Sequence, residues 1–470
     1  PLGWQIFAVV LRLIGVLIFW FTLRMIWPNA LLATTSAALL FAVYPGFMVM
    51  PKAIIKVNPL FSLASVLISI AFTVKSVQVK HIWQKIIFQV LALGSGIIYM
   101  FYVEYMIGLE FIRWAFVWIA LKKTDESISN RNRVKLWFLY NMPTMFVAIG
   151  MMVWRLLYFE SGRQAMNVGS ITQDFIVSPL RAFVGLFVEM GRDFIESAIY
   201  AWSVQGYSMT YWAPYPNWLI SIFLASLAII AYILYAYKTK KFSQNDQDLS
   251  EISKHFAWIG ILGLLAAILP LTIVGRQVYL DATKFNKYTI HLAISISLMI
   301  VGILLIIGYR RRMGLIVVVS ILVGLSIQTH YFNGLRYKED WQYQKDLWWQ
   351  LTWRAPDLKD KTLLAVRIPT GISISEHYEI WSPANIIYRP DSQEVKITGE
   401  IITSATEGWF LSGITNKKTF RGVVPLSRNF NNALILTIPN SASCMHIMDG
   451  NRLVDNREDI RVKYIHQTSK

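Results

Sequence analysis

Residues 218–237 read WLISIFLASLAIIAYILYAY, and residues 291–309 read HLAISISLMIVGILLIIGY. Neither stretch contains Asp, Glu, Lys or Arg. Coiled as a helix, each is about 30 Å long, the thickness of a bilayer's hydrocarbon core. A core helix of a soluble protein would show a polar stripe, and these two are apolar all round. Runs of this kind recur down the chain as far as residue 333. Their distribution, rather than the overall 55% hydrophobic content or the mean hydropathy of +0.44, decides the class. The predicted fold is an all-α polytopic membrane bundle of about ten spans, followed by a small β-rich extracytoplasmic domain.

The ten predicted spans are 3–26, 29–50, 54–75, 86–103, 105–121, 134–158, 216–237, 256–275, 289–309 and 313–333. Residues 86–121 are too long for one crossing and just long enough for two short ones with a tight hairpin at Glu104, Gly108 and Glu110. With that split, four basic clusters fall on one side: Arg310–Arg312, Lys238–Lys241, Lys122–Lys135 and Lys75–Lys85. The positive-inside rule makes that side cytoplasmic.

The net charge of +17 then reflects topology, and no nucleic-acid motif accompanies it. Residue 1 and the C-terminal domain fall outside the cytoplasm. A start without Met, lying outside, leads us to expect a preceding span and outer loop. Cys444 is the single cysteine, so an intrachain disulfide is excluded. No Asn-x-Ser/Thr acceptor occurs, which points towards a bacterial or archaeal cytoplasmic membrane.

Two outer segments are more than connections. Residues 159–215 are long for a loop. Within them 180–202 reads as an amphipathic helix, with Arg181, Glu189, Arg192, Asp193 and Glu196 in a sector of roughly 120° and Phe183, Phe187, Met190 and Phe194 opposite. That pattern predicts a helix lying in the membrane interface. Residues 336–354 carry Tyr337, Trp341, Trp348, Trp349 and Trp353 within about 160° of one face, an interfacial aromatic anchor. The remainder, 355–470, turns polar, with short alternating runs at 394–401 and 433–438 that predict strands. The domain plan is therefore 1–335, 336–354 and 355–470.

Ionisable residues near membrane depth are candidates for function. The hairpin supplies Glu104, Glu110 and Arg113, and the i,i+3 spacing lets Glu110 and Arg113 pair, either as catalytic machinery or as a structural ion pair. The loop 276–288 supplies Arg276, Asp281, Lys284 and Lys287, a set suited to an anionic head group such as a phosphate, or else an ordinary solvated loop. The amphipathic segment adds Arg181 and Arg192. Transmembrane Arg12 and Arg155 are expected to snorkel or pair. His81, His255, His291 and His330 have no ligand spacing. No cofactor is called for by any motif, and a divalent metal is left open.

Many short spans, the long outer loop with its interfacial helix, the charged outer hairpins and the external C-terminal domain resemble the C-type glycosyltransferases. LLATTSAALLFAVYPGFMVMPKAIIKVNPLFSL at 31–63 is similar to part of the protein O-mannosyl and aminoarabinose transferase branches, and EYMIGLEFIR at 104–113 resembles a hairpin in a group of uncharacterised bacterial membrane proteins of this layout. The resemblance implies a polyprenyl-phosphate sugar donor, a membrane lipid partner and transfer on the extracytoplasmic face. It departs from the family at Asn58-Pro59-Leu60, where an Asp often precedes the Pro or Leu. The family's usual catalytic carboxylate sits in the first outer loop, which this topology puts ahead of residue 1. Of the acidic residues present, Glu104 and Glu110 are expected to activate the acceptor. Arg113, Arg181, Arg192, Arg276, Asp281 and Lys284 are expected to hold the substrate. A lipid or polysaccharide transporter, marked by broken helices and midplane charges, and a non-catalytic scaffold are the alternatives.

Overall fold

The computed structural model describes residues 2–124, 127–158, 176–204, 214–239, 246–280, 284–308, 312–369, 371–372, 374, 376–403, 406, 416–421, 424–429, 432–438 and 443–449. The chain divides into a membrane unit ending at Gly334 and a C-terminal unit beginning at Leu335.

The membrane unit is helical: α1 (Leu2–Ile26), α2 (Leu31–Val43), α3 (Ala53–Gln78), α4 (Ile82–Tyr102), α5 (Glu110–Thr124), α6 (Asn130–Leu157), α7 (Pro179–Ile195), α8 (Tyr215–Thr239), α9 (Asp246–Ile273), α10 (Leu292–Ile307) and the first part of α11 (Arg312–Arg354). Among the described residues seven helices are long and apolar enough to cross a membrane. Each predicted span contains one helix, but α2, α5 and α10 are shorter, at 13, 15 and 16 residues. The predicted split of 86–121 is present. Val103 leaves helical geometry at φ −145°, a 3₁₀ turn covers Glu104–Leu109, and α5 starts at Glu110.

The outward faces are apolar. On α1, Leu2, Ile6, Val9, Leu13 and Leu17 are exposed while Arg12 is buried. On α8, Leu219, Phe223, Leu227 and Leu234 are exposed. A helix surface of that kind is stable only in lipid. Inside, α3 places Ser62, Ser65, Ser69, Thr73 and Ser76 on one buried face at spacings of three and four. Small side chains of this sort let neighbouring helices close in, and their hydroxyls return to backbone carbonyls. Helices α9 and α10 approach closely at a glycine. A Cβ added at Gly302 would sit 2.2 Å from the Ala257 nitrogen, so only glycine fits there.

The C-terminal unit departs from the expected β-rich domain. It is mixed α/β, with a four-stranded sheet in the order β2-β1-β5-β6 built from β1 (Leu363–Arg367), β2 (Thr398–Ile401), β5 (Ala433–Thr437) and β6 (His446–Asp449). β1 runs parallel to both β2 and β5, and β6 closes the edge antiparallel. Helix α12 (Tyr378–Tyr388) provides the crossover between β1 and β2 that parallel pairing requires. Leu363–Val366 are all buried, as on a strand covered on both faces, so this central strand shows no alternation. A separate hairpin pairs β3 (Asn416–Arg421) with β4 (Val424–Asn429).

The second half of α11 is not a separate interfacial helix. It continues the preceding span without a break and sends Tyr343, Leu347 and Leu351, four residues apart, into the core of this unit beside Ile380 and Ala384 of α12. Trp341, Trp349 and Trp353 stay exposed on the other side, whereas Trp348 packs against the core.

Candidate functional site

Three polar constellations occupy the membrane unit. The deepest is the predicted Glu110–Arg113 pair. Being three apart on α5, both side chains turn towards α3 and α4. Arg113 is fully buried, and its Nε lies 2.8 Å from Glu110 Oε2 and its Nη2 3.0 Å from Oε1. Its remaining donors reach Thr73 Oγ1 at 2.7 Å and Ser69 Oγ at 2.9 Å, both from the hydroxyl stripe of α3. The Tyr99 hydroxyl donates to Glu110 as well. The result is a closed network: two opposite charges, neutral overall, with their hydrogen-bonding capacity largely consumed. Such a pair rigidifies a bundle and offers little to a substrate.

The second constellation is a helix that ends inside the bundle. α2 has 13 residues, about 20 Å of helix, and then turns at Tyr44–Val49, all of them buried. A helix ending away from water leaves carbonyls that need donors. Arg12 supplies them. It sits 14 residues before the end of α1, about 21 Å along the axis, at the depth where α2 stops. Its Nε donates to the Ala42 carbonyl at 3.0 Å and its Nη2 to those of Phe41 and Tyr44 at 3.3 and 3.4 Å.

His330 Nε2 lies 3.1 Å from the Val43 carbonyl, which fixes that nitrogen as the protonated one. Asn333 donates to Met48 at 2.7 Å, and Asn286 accepts from the Val49 amide at 3.1 Å. Among the described residues Arg12 therefore neither snorkels nor pairs with a carboxylate. It caps the negative end of a helix dipole, and its Nη1 is buried without a hydrogen bond.

The third constellation is the rim at the end where α5 begins and α9 finishes. α9 stops in a Schellman turn. Gly275 takes φ +64°, which a side chain would disfavour, while Arg276 N bonds to Leu271 O at 2.9 Å and Gly275 N to Thr272 O at 3.0 Å. The segment after it meets α7. Leu280 N donates to Glu196 Oε1 at 3.0 Å, and Arg192 stands 5.3 Å above the Tyr279 ring. Arg192 also holds Asp193 at 2.8 Å.

α7 is turned opposite to a soluble helix. Phe183 is 55% exposed and Phe187 57%, whereas Asp193 is 0% exposed. The C-terminal half of the charged sector, Asp193 with the half-buried Arg192 and Glu196, turns towards the protein together with Met190, while Phe183, Phe187 and Arg181 in the first half stay exposed. Burial raises the Asp193 carboxyl above its ordinary range, against the pull of Arg192 and the nearby Val278 amide. Its Oδ2 is buried and makes no hydrogen bond of normal geometry. A π-turn at Glu196–Tyr200 then re-aims the chain, so that Ser197 O receives the Tyr44 hydroxyl at 2.8 Å.

The predicted residues sort as follows. Glu104 pairs with Arg155 at 2.9 Å, half-exposed on the rim, so Arg155 does pair. Its neighbour Tyr105 packs against Tyr288 at 5.2 Å and His291 at 5.1 Å, which ties the 104–113 hairpin to the 284–291 segment. Arg192 and Arg276 belong to the rim. Arg181 is exposed in the first turn of α7. Lys284 starts a 3₁₀ turn, Lys284–Thr289, and Asp281 lies outside the described residues.

The segments around Glu104–Tyr105, Arg192–Glu196 and 276–291 thus come together, with Glu110 and Arg113 set apart from them. The capping role of Arg12 and the inward position of Asp193 were missed as site features. The signal for the first was Tyr44-Pro45-Gly46 interrupting a span. Among the described residues no three His, Cys, Asp or Glu side chains are grouped to hold a metal. No family model, no curated protein and no solved structure matches this chain, and its site is read from its own geometry.

Proposed function

We propose that the chain is a membrane glycosyltransferase that takes a sugar from a polyprenyl-phosphate carrier at the rim and passes it to an acceptor on the extracytoplasmic side. One observation carries this reading. α7 exposes its apolar face and buries Asp193 against the 276–280 segment, so a lipid-facing helix borders a carboxylate with raised proton affinity and two arginines, Arg192 and Arg276. Asp193 takes the proton of the acceptor hydroxyl as its oxygen attacks the anomeric carbon. The bond from that carbon to the phosphate oxygen breaks, and the lipid phosphate leaves with the electron pair. Arg276 receives the phosphate charge near headgroup level. Glu104 stays with Arg155 on the acceptor side, and the closed pairing of Glu110 takes it out of the base's role.

A general base of this kind is worth about 10²–10⁴-fold. In proteoliposomes carrying labelled polyprenyl-phosphate sugar, Asp193→Asn should lose transfer by that factor with donor binding retained. The wild-type rate should fall as pH drops through the raised titration of Asp193, and the variant's residual rate should not. The sign for stability is opposite. A raised carboxyl pKa means the folded state holds the proton more tightly, so this group's contribution to stability declines as pH rises. Transfer unaffected by Asp193→Asn would remove the assignment.

A second reading, transport of a lipid-linked saccharide, is favoured by the end of α2 inside the bundle with Arg12 and His330 around it, since discontinuous helices mark transporter sites. Flux of the labelled lipid between leaflets without sugar transfer would select it.

A further inference from the structure

At the opposite end of the membrane unit lies a cavity of about 480 Å³, large enough for a small ligand. The loop after α1 and the facing ends of α3, α5 and α9 enclose it. We propose that it binds a phosphate group, independently of any activity at the rim.

The walls supply what a phosphate needs. Lys122 and Lys123 contribute two ammonium groups, and Glu251 is the one carboxylate among the lining residues. Lys122 reaches Glu251 at 3.2 Å, with both side chains about half-exposed. An exposed pair of that kind is weak, and a phosphate competes for it readily. The Lys123 Nζ stands 5.7 Å from the centre of the Trp27 ring, and both residues line the cavity.

Trp27 itself is 1% exposed and lines the cavity, yet its indole N–H has no hydrogen-bond partner. Gln78, which also lines the cavity, spends its amide on the Met25 carbonyl at 2.8 Å and so holds the α1 end in place. Lysines and a tryptophan at a helix-bundle end are the side chains that meet anionic headgroups, so the phosphate has two sources: a phospholipid or a soluble phosphate.

The test uses the full chain in zwitterionic detergent. Phosphatidylglycerol retained through delipidation is counted by native mass spectrometry, and inorganic phosphate binding is measured by calorimetry. Losing one charge-assisted contact should cost roughly tenfold in affinity. The double variant Lys122→Ala, Lys123→Ala should therefore bind at least that much more weakly, and Glu251→Gln should bind more tightly. Lysine-dependent retention of phosphatidylglycerol identifies a lipid site, and lysine-dependent binding of inorganic phosphate alone identifies a soluble one. Binding of neither probe by the wild type, or unchanged binding in the lysine variant, overturns the proposal. If the lysine variant does not fold, the gain expected of Glu251→Gln decides, and its absence overturns the proposal.

Discussion

Two arginines are buried in the same bundle and satisfied in different ways. Arg113 meets a carboxylate three residues away on its own helix, plus two hydroxyls of α3. Arg12 meets no carboxylate among the described residues and spends its donors on carbonyls of the turn that ends α2. The first arrangement is neutral and locally closed. The second keeps a positive charge in a low dielectric and is anchored only by partial charges at the end of a helix. Arg113 makes the bundle rigid, whereas Arg12 makes a non-helical turn possible at membrane depth, where an unsatisfied backbone is otherwise too costly. Functional sites in membranes gather at irregular backbone of the second kind.

The largest effect should come from splitting the closed pair. Glu110→Met leaves Arg113 buried without its counter-charge, and about 3–5 kcal/mol of stability should be lost in a reversible unfolding measurement in mixed micelles. Adding Arg113→Met to the same chain should recover most of that loss, because an apolar pair of similar volume replaces a neutral pair. A double variant as unstable as the single one would mean the network does more than balance its own charges.

Arg12→Met comes next. It abandons carbonyls rather than a charge, so the expected cost is about 1–3 kcal/mol, with no rescue from neutralising any single carboxylate. Rescue by such a change would reveal a hidden ion pair and erase the contrast. His330→Phe should be the mildest, at about 1 kcal/mol, since it removes one neutral hydrogen bond to Val43. Added to Arg12→Met, it should cost more than it does alone, because both donors serve one turn.

The difference between the arginines also separates what can be read along a chain from what cannot. Glu110 and Arg113 are three apart, so their pairing follows from helix geometry alone. Arg12 and Ala42 are thirty apart, and nothing local links them. The same holds at the rim. The charged sector of 179–195 was visible as a 100° periodicity, and so was its apolar opposite. Which sector would face the protein depended on Val278, Tyr279 and Leu280, some eighty residues on. The break at Val103 was forced by counting span lengths. The inward stop of α2 was marked only by Tyr44-Pro45-Gly46, because the apolar composition continues through Phe47–Val49 although the helix does not.

The sequence by itself determined that the chain is a membrane bundle, because hydrophobic length is set by lipid thickness and needs no partner to be recognised. It also determined the break between α4 and α5, the Glu110–Arg113 pair and the presence of strands near 398–401 and 433–437. Only the tertiary structure decided that Arg12 caps a half-length helix, that Asp193 turns inward, and that the C-terminal sheet is parallel around β1. Each of these rests on groups distant in the chain meeting in space. Hydrogen-bond satisfaction away from water is a condition on neighbours, and neighbours are what a linear sequence does not contain.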